Sequence, residues 1–348
     1  MYTDLIDKAP IGSWAWGILV PAVSALLCAG LIALLRPLFA RYALARPNAR
    51  SSHTVPTQQG GGIPVIVATI IVSYGALQFA PFGATAITLQ LPIVCIAMFL
   101  IACVGVLADI HPANFIPRLL LQTLAVAAVI FVMPPQLRVL PVVPLPLERA
   151  ALVVGGLWFV NLVNFMDGLD WMMVAETVPI SSALAVIGWL GMLPPAALVL
   201  SLALCGAMIG FAFFNRPVAR LFLGDVGSLP VGLLLGWLLV LLAGNGGCVA
   251  AILLPLYYLA DSSITLVRRA IKGEKIWHAH RSHFYQRAID RGFSVLDVVA
   301  RVFAVNLVLA ALALATVLFP SLLTSIAALF CGVALVSWLL AAFARSKR

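Results

Sequence analysis

The side chains best suited to chemistry in this chain are a few amides and acids in short polar stretches between long apolar runs. Asn161 and Asn164 are three residues apart, so they share one face if the segment is helical. Asp167 and Asp170 follow, on either side of Gly168. Oxygens of this kind bind hard cations and hydrogen-bond sugars or nucleobases. Loop solvation could explain the acids, but amides are costly inside an apolar segment. The pattern indicates a polar site.

A second candidate stretch is residues 222–228, which read FLGDVGS. Asp225 stands between two glycines, Gly224 and Gly227, where a hydrated cation has room, so it is our candidate metal ligand. Gly224 leaves space beside it, and Ser228 adds a hydroxyl at the start of an apolar run. The first N–H groups of a helix favour anions, so Gly224 and Ser228 are candidate substrate-binding residues. Plain helix capping by Asp225 is the alternative.

Asp109 directly follows another apolar run, and His111, Arg118 and Gln122 come shortly after it. A carboxylate in this position could serve a magnesium-bridged phosphate or could cap a helix. The spacing does not decide between these roles, and both stay open.

The longest polar stretch, 268–296, carries His278, His280 and His283 within six residues, next to Arg281. The stretch has no cysteine and few acids, which disfavours a zinc site. Histidines beside an arginine are typical donors to a diphosphate. Lipid headgroups could account for the lysines and arginines, but less readily for the clustered histidines.

The first polar stretch contains RSSH at 50–53 and three glycines at 60–62. Glycines let the backbone approach a ligand and aim N–H groups at phosphate, so this segment and His53 are substrate-binding candidates. A flexible entry turn is the equally weighted alternative.

The elements that position these residues must be membrane helices. The chain is 63% hydrophobic and 9% charged, and its uncharged runs are long enough for about 20-residue crossings. We predict an all-α polytopic membrane protein with a single domain, 1–348, and no membrane β-barrel pattern. The eleven predicted spans are 14–35, 63–80, 88–107, 117–133, 150–166, 177–193, 196–214, 228–243, 247–267, 297–318 and 321–343.

Basic residues set the predicted orientation. With the N-terminus periplasmic and the C-terminus cytoplasmic, 18 of the 21 Lys and Arg residues fall in cytoplasmic segments. The net charge of +9 suits anionic lipids and substrates, whereas no soluble domain is present to bind nucleic acid. The predicted cytoplasmic active-site loops are 36–62, 108–118, 167–176, 215–228 and 268–296.

Asp261 is the single acid predicted to lie within a span. It could form a structural pair with a cation such as Arg268 or Arg269, about two turns later. Alternatively, it could face the site and organise residues 280–287, here called the histidine loop.

Four motifs together resemble the polyprenyl-phosphate N-acetylhexosamine-1-phosphate transferase superfamily, glycosyl transferase family 4. The resemblance is closest to the branch that initiates bacterial O-antigen and related glycans, and it runs from about residue 46 to 301. The motifs occur in the family's order: RSSH with the triple glycine, NFMDGLD at 164–170, FLGDVGS at 222–228, and HRSHFYQR at 280–287.

The resemblance implies transfer of a sugar-1-phosphate from a UDP-N-acetylhexosamine to undecaprenyl phosphate at the bacterial inner membrane. It implies Mg²⁺, with Mn²⁺ as a substitute, and membrane lipids as surroundings; a homodimer is possible. Asp225 would hold the metal, and Asp109 would lie near the metal or the acceptor phosphate. The implied donor-binding residues are Asn164, Asp167 and Asp170 for the nucleotide-sugar, with His280, Arg281 and His283 for the diphosphate.

Three positions depart from the family pattern. Ala108 stands where the family has the first of two aspartates, Trp171 where glycine is common, and Gln59 where a basic residue is usual. Two alternatives therefore stay open: a binding-only member without turnover, and a transporter or flippase of lipid-linked sugars. A transporter usually places its ionisable groups near the membrane midplane, whereas here they gather at one predicted surface.

Overall fold

A computed structural model describes residues 13–45, 56–79, 90–110, 115–275 and 280–345. The protein is built from helices, as the long apolar runs require, because only internal hydrogen bonds can satisfy a backbone inside lipid. The helices are α1 Ser13–Tyr42, α2 Gly62–Phe79, α3 Gln90–Ile110, α4 Phe115–Phe131, α5 Leu145–Met166, α6 Met172–Trp189, α7 Pro195–Ala212, α8 Asp225–Leu242, α9 Cys248–Leu253, α10 Leu256–Ile271, α11 Phe284–Asp290, α12 Val295–Leu318 and α13 Leu322–Phe343.

The predicted class, an all-α polytopic membrane protein, is confirmed. Nine helical stretches among the described residues are long and apolar enough to cross a membrane, and Ile116–Phe131 is a shorter apolar helix. One of the nine, Asp225–Leu253, contains a break in helical geometry at Asn245 and Gly246, where the glycine φ is +91°. This break lies between the predicted spans 228–243 and 247–267. The count of eleven and the sides of the termini stay predictions.

Helices α6, α7 and α8 form the buried centre of the bundle. Helix α7 packs against α1, α2 and α6, and α8 packs against α3 and α5. Gly206 and Gly210 of α7 face the backbone of α1, where a Cβ atom would collide with Pro21 and Ala25. The resulting rigid centre carries the polar residues at one end, where α5 ends and α8 begins.

Three short strands join the polar segments at this end, in addition to the helices predicted from the sequence. Strand β1, Leu44–Ala45, pairs antiparallel with β2, Thr57–Gln59, and β2 pairs parallel with β3, Leu221–Phe222. The N–H groups of Gly61 and Gly62 donate to the carbonyls of Phe222 and Leu223, both at 2.9 Å. The N–H groups proposed for phosphate are therefore bonded within the protein.

The polar segment after α5 is shorter than predicted. Helix α6 begins at Met172, so the loop covers 167–171 rather than 167–176. Glu176 lies in α6, is 1% exposed, and accepts a hydrogen bond from Asn306 of α12 at 2.6 Å. It also accepts one from the Tyr258 N–H in the first turn of α10. The prediction that Asp261 is the single acid within a span is therefore wrong.

Candidate active site

Asp225 is the first residue of α8, and two side chains from other helices hold its carboxylate. The Asn164 amide donates to Asp225 Oδ1 at 2.7 Å, and the Arg118 guanidinium lies 2.8 Å from Asp225 Oδ2. Arg118 also donates to Asn164 Oδ1 at 3.2 Å. These residues form a closed polar trio of Arg118, Asn164 and Asp225. The Asp225 side chain remains 27% exposed, so a ligand can reach it.

Asp109, at the end of α3, caps the N-terminus of α8. Its carboxylate accepts from the N–H of Asp225 at 3.0 Å and from the N–H of Val226 at 3.2 Å. Gln59 donates a third hydrogen bond at 2.6 Å. Gly224 precedes the helix with φ +76°, and a side chain there would collide with Asp109 and Gln59. Of the two roles left open for Asp109, the structure shows the cap. That cap fixes the start of α8, and hence Asp225.

Asp167 ends α5 beside these two acids, and no described residue hydrogen-bonds its carboxylate. Burial, and then the negative charges of Asp225, Asp109 and Asp170, raise the pKa of Asp167 to about 8. Asp109, Asp167 and Asp225 are called the acid cluster below. Asp170 is anchored differently, since it accepts from the Ala219 N–H at 2.9 Å.

Trp171, which follows Asp170, occupies a backbone position that favours glycine. Its φ is +63°, in the left-handed region that costs other residues about 1 kcal/mol or more. Its N–H donates to Asn215 Oδ1 and its indole N–H to the Ala212 carbonyl, both at 2.7 Å. These bonds offset the strain, so the loop keeps its turn without glycine.

The histidine loop presents one partly exposed imidazole. His280 and His283 stack with ring centres 4.9 Å apart, and His280 Nδ1 lies 2.8 Å from the Ser282 hydroxyl. Burial, the neighbouring His283 and the charge of Arg269 lower the pKa of His280 to about 4. His280 is therefore neutral at pH 7. In the tautomer whose Nδ1 accepts from the Ser282 hydroxyl, the opposite ring nitrogen carries the hydrogen and can donate.

Asp261 holds the backbone of the histidine loop in place. This fully buried carboxylate accepts from the N–H groups of Phe284 and Tyr285 at 2.9 and 3.1 Å, and contacts His283 Nδ1 at 3.3 Å. The Tyr285 hydroxyl donates to the Phe165 carbonyl at 3.0 Å. Asp261 therefore organises the loop and links it to the end of α5, and no described ion pair joins it to Arg268 or Arg269.

Several residues predicted for the site are buried or bonded to other residues of the protein. His283 is 2% exposed and Ser228 is fully buried, with its hydroxyl accepting from Asn164 at 2.8 Å. The N–H groups of Gly227 and Ser228 donate to the Gly224 carbonyl rather than to an anion. Asn161 donates to Gln122 at 2.9 Å, outside the polar trio. Arg281 forms an ion pair with Asp290, and His53 and His278 lie outside the described residues.

The oxygens of this site suit a hard divalent cation. Within the described ranges, no group of three His, Cys, Asp or Glu side chains has the arrangement of a preformed metal cage. Mg²⁺ seldom uses such a cage, since it keeps several waters and binds one or two carboxylates together with substrate phosphates. Asp167 without a hydrogen-bond donor and the partly exposed Asp225 fit that requirement, and the mutual repulsion of the acid cluster favours a cation.

Arg118 was not predicted as a site residue, although it contacts two residues that were. It had been noted only as one of the polar residues that follow Asp109. Arg118 and Gln122 are four residues apart on α4, so they share one face of an otherwise apolar helix. That polar face, which meets Asn164 and Asn161 of α5, is the signal that could have identified Arg118.

Comparisons with known proteins cover the same region. Residues 91–243 match the model of glycosyl transferase family 4. The chain is 27% identical over 266 residues to a probable undecaprenyl-phosphate N-acetylglucosaminyl 1-phosphate transferase of Bacillus subtilis, covering 72% of this chain and 71% of that protein. It is 42% identical over 72 residues to a phospho-N-acetylmuramoyl-pentapeptide-transferase of Oceanobacillus iheyensis, covering 21% of this chain and 22% of that protein. The acid cluster lies inside the family match, and the histidine loop follows it.

Proposed function

We propose, from the premise that this chain belongs to glycosyl transferase family 4, that it transfers a sugar-1-phosphate from a UDP-N-acetylhexosamine to undecaprenyl phosphate. The products are an undecaprenyl-diphosphate-sugar and UMP. In this proposal the protein works in the bacterial inner membrane, with its site on the cytoplasmic side. The lipid-linked sugar then starts O-antigen synthesis, as part of lipopolysaccharide, or the synthesis of another cell-envelope glycan.

One observation carries the proposal: the acid cluster, the polar trio and His280 belong to segments joined at one end of the bundle. The acids suit a divalent cation, while Arg118 and the neutral His280 can donate to phosphate oxygens. A site for a metal-bound diphosphate needs both kinds of group. The gathering of these residues at the end of the helices, rather than midway along them, favours an enzyme over a transporter.

Mg²⁺ would be held by Asp225 with Asp167, and when bound it supplies charge neutralisation for the diphosphate. The chain's own residues do the positioning. Asp109 fixes the start of α8, Asn164 orients the Asp225 carboxylate, and His280 donates its N–H to a diphosphate oxygen. Positioning and electrostatics of this kind provide most of the catalysis in phosphoryl transfer.

The bond changes need no protein base. An oxygen of the lipid phosphate forms a bond to the β-phosphorus, and the bond from that phosphorus to the bridging oxygen breaks, releasing UMP. A phosphate with a second pKa of about 6 is mostly a dianion at neutral pH. Ala108, in place of the usual aspartate, is therefore compatible with turnover.

The test is UMP formation by the purified protein with Mg²⁺, undecaprenyl phosphate and, in turn, each of several UDP-sugars. UDP-N-acetylglucosamine and its 6-deoxy relatives, such as the UDP forms of N-acetylfucosamine and N-acetylquinovosamine, form the panel. We expect UMP only when both the lipid and one of these donors are present. Donor binding without UMP would support the binding-only alternative, and sugar uptake into vesicles without UMP would support a transporter.

A further inference from the structure

We propose that Arg118 is a built-in counter-ion, which pairs with the metal-binding carboxylate of Asp225 and is displaced when the divalent cation arrives. This inference rests on the proposed function, because it places the cation at Asp225. It assigns Arg118 two partners in turn: Asp225 and Asn164 before the metal binds, and the donor diphosphate afterwards.

The geometry of the guanidinium carries the first step. One terminal nitrogen of Arg118 lies 2.8 Å from Asp225 Oδ2, and the other donates to Asn164 Oδ1 at 3.2 Å. Asp225 Oδ2 is the oxygen that a cation at Asp225 would use, since Asp225 Oδ1 already accepts from the Asn164 amide nitrogen. Arg118 and a metal ion therefore compete for the same oxygen.

The charges of the site favour the exchange. Asp109 accepts from the N–H groups of Asp225 and Val226, so its carboxylate lies beside Asp225. Arg118 brings one positive charge to these carboxylates and pairs with Asp225. A divalent cation brings two positive charges to the same place, so the arginine yields when the metal is present.

The exposure of the pair makes its release possible. The side chains of Arg118 and Asp225 are 23% and 27% exposed, so the ion pair is partly hydrated. Partly hydrated pairs contribute little to stability, and breaking one costs little. The released guanidinium keeps its planar set of donors, which suits two oxygens of a phosphate. The Arg118 guanidinium is therefore free to bind the donor diphosphate only when the metal, and with it the donor, is bound.

Arg118→Gln separates this role from a purely structural one. We measure binding of Mn²⁺, as a substitute for Mg²⁺, to the purified full chain without substrates, from the electron paramagnetic resonance signal of the free ion. Arg118→Gln is expected to bind Mn²⁺ about fivefold more tightly than wild type, because the competing cation is gone. Turnover at saturating metal is expected to fall about tenfold or more, because the diphosphate loses a donor.

Two companion variants complete the test. Arg118→Lys keeps the charge but not the planar fork, so its Mn²⁺ affinity is expected between those of wild type and Arg118→Gln; it serves if Arg118→Gln does not fold. Arg301→Gln removes an exposed cation near the start of α12 and is expected to leave Mn²⁺ binding unchanged.

The outcomes are distinguishable. If Asp225→Asn abolishes Mn²⁺ binding but Arg118→Gln binds Mn²⁺ no more tightly than wild type, the counter-ion role is overturned and the metal site stands. If Asp225→Asn binds Mn²⁺ like wild type, the metal is not at Asp225, and both the counter-ion role and the proposed placement of the metal fail.

Discussion

The N-termini of α8 and α11 are held in the same way but differ in exposure. A carboxylate from another helix accepts the first N–H groups of each: Asp109 for α8 and Asp261 for α11. At α8 the neighbouring acid, Asp225, is 27% exposed and held by side chains. At α11 the neighbouring His283 is 2% exposed, and Asp261 is fully buried.

This difference in exposure distinguishes a region suited to ligand binding, the start of α8, from a region suited to structural support, the start of α11. A partly exposed carboxylate whose partners are side chains can exchange them for a ligand. A buried carboxylate bonded to backbone N–H groups cannot do so without unfolding the segment, because an unpaired buried N–H is costly. The start of α8 is therefore suited to bind the proposed metal and substrate. The start of α11 is suited to hold His280 and, through Tyr285, the end of α5.

The largest effect is expected at Asp225, the partly exposed acid at the start of α8. Asp225→Asn removes the charge that would hold the metal but little volume, so turnover should fall about 10²-fold or more while the protein stays folded. The measurement is the rate of UMP release at saturating Mg²⁺, with thermal unfolding as the check on folding. Asp297→Asn, an acid in the first turn of α12, is the matched control. A rate within a few-fold of wild type would remove Asp225 from the metal site.

At Asp261, the buried carboxylate, the main effect of a substitution should be a loss of unfolding free energy. Asp261→Asn points an amide group at a backbone N–H that has no other acceptor, which we expect to cost about 2 kcal/mol of unfolding free energy. Turnover should fall with it, because the loop carrying His280 shifts. The measurement is unfolding in detergent beside Asp290→Asn, an exposed acid at the end of α11. Unchanged stability with reduced turnover would instead make Asp261 part of the chemistry.

The pH dependence of metal binding should follow Asp167. Its pKa of about 8 means that protons compete with the metal at neutral pH. Mn²⁺ affinity should therefore rise about tenfold per unit between pH 6 and 7.5. Without metal, the stability that the neutral carboxyl contributes is lost as the pH rises toward 8. Asp167→Asn should flatten the pH dependence of both the Mn²⁺ affinity and the stability without metal. An unchanged Mn²⁺ profile in that variant would exclude Asp167 as a metal ligand.

The smallest effect is expected at Trp171, between the two regions. Trp171→Gly relieves the positive φ but loses the indole hydrogen bond to Ala212, so stability should change by less than about 1 kcal/mol. Turnover should stay within a few-fold, because Asp170 keeps its bond to Ala219. Trp171→Ala loses the indole without gaining glycine's freedom, so it should be less stable than Trp171→Gly. Thermal unfolding of both variants checks the order, and the reverse order would contradict the strain assigned to this turn.

The sequence predicted the fold class and singled out all three residues of the acid cluster. The uncharged runs give the helices, and the scarcity of acids in an apolar chain makes Asp109, Asp167 and Asp225 conspicuous. The break near Gly246 was also predictable, because glycines and an asparagine interrupt a run too long for one crossing.

The partners of these residues could not be predicted from spacing. Asp109 caps a helix that begins more than a hundred residues later, which only the packing of α3 against α8 decides. Arg118 has the same charge as the cations that set topology, so composition does not distinguish it from them. Glu176 follows a polar loop in sequence, and only the start of α6 at Met172 shows that it is buried.

The fate of the β-phosphate tests the central claim most directly. The purified protein is given UDP-N-acetylhexosamine labelled with ³²P at the β-phosphate, together with undecaprenyl phosphate and Mg²⁺, and the products are separated into lipid and water. Transfer of a sugar-1-phosphate predicts label in the lipid and unlabelled UMP in the water. Label retained in water-soluble UDP beside a glycosylated lipid, or no lipid product with any donor of the panel, would contradict the proposed function.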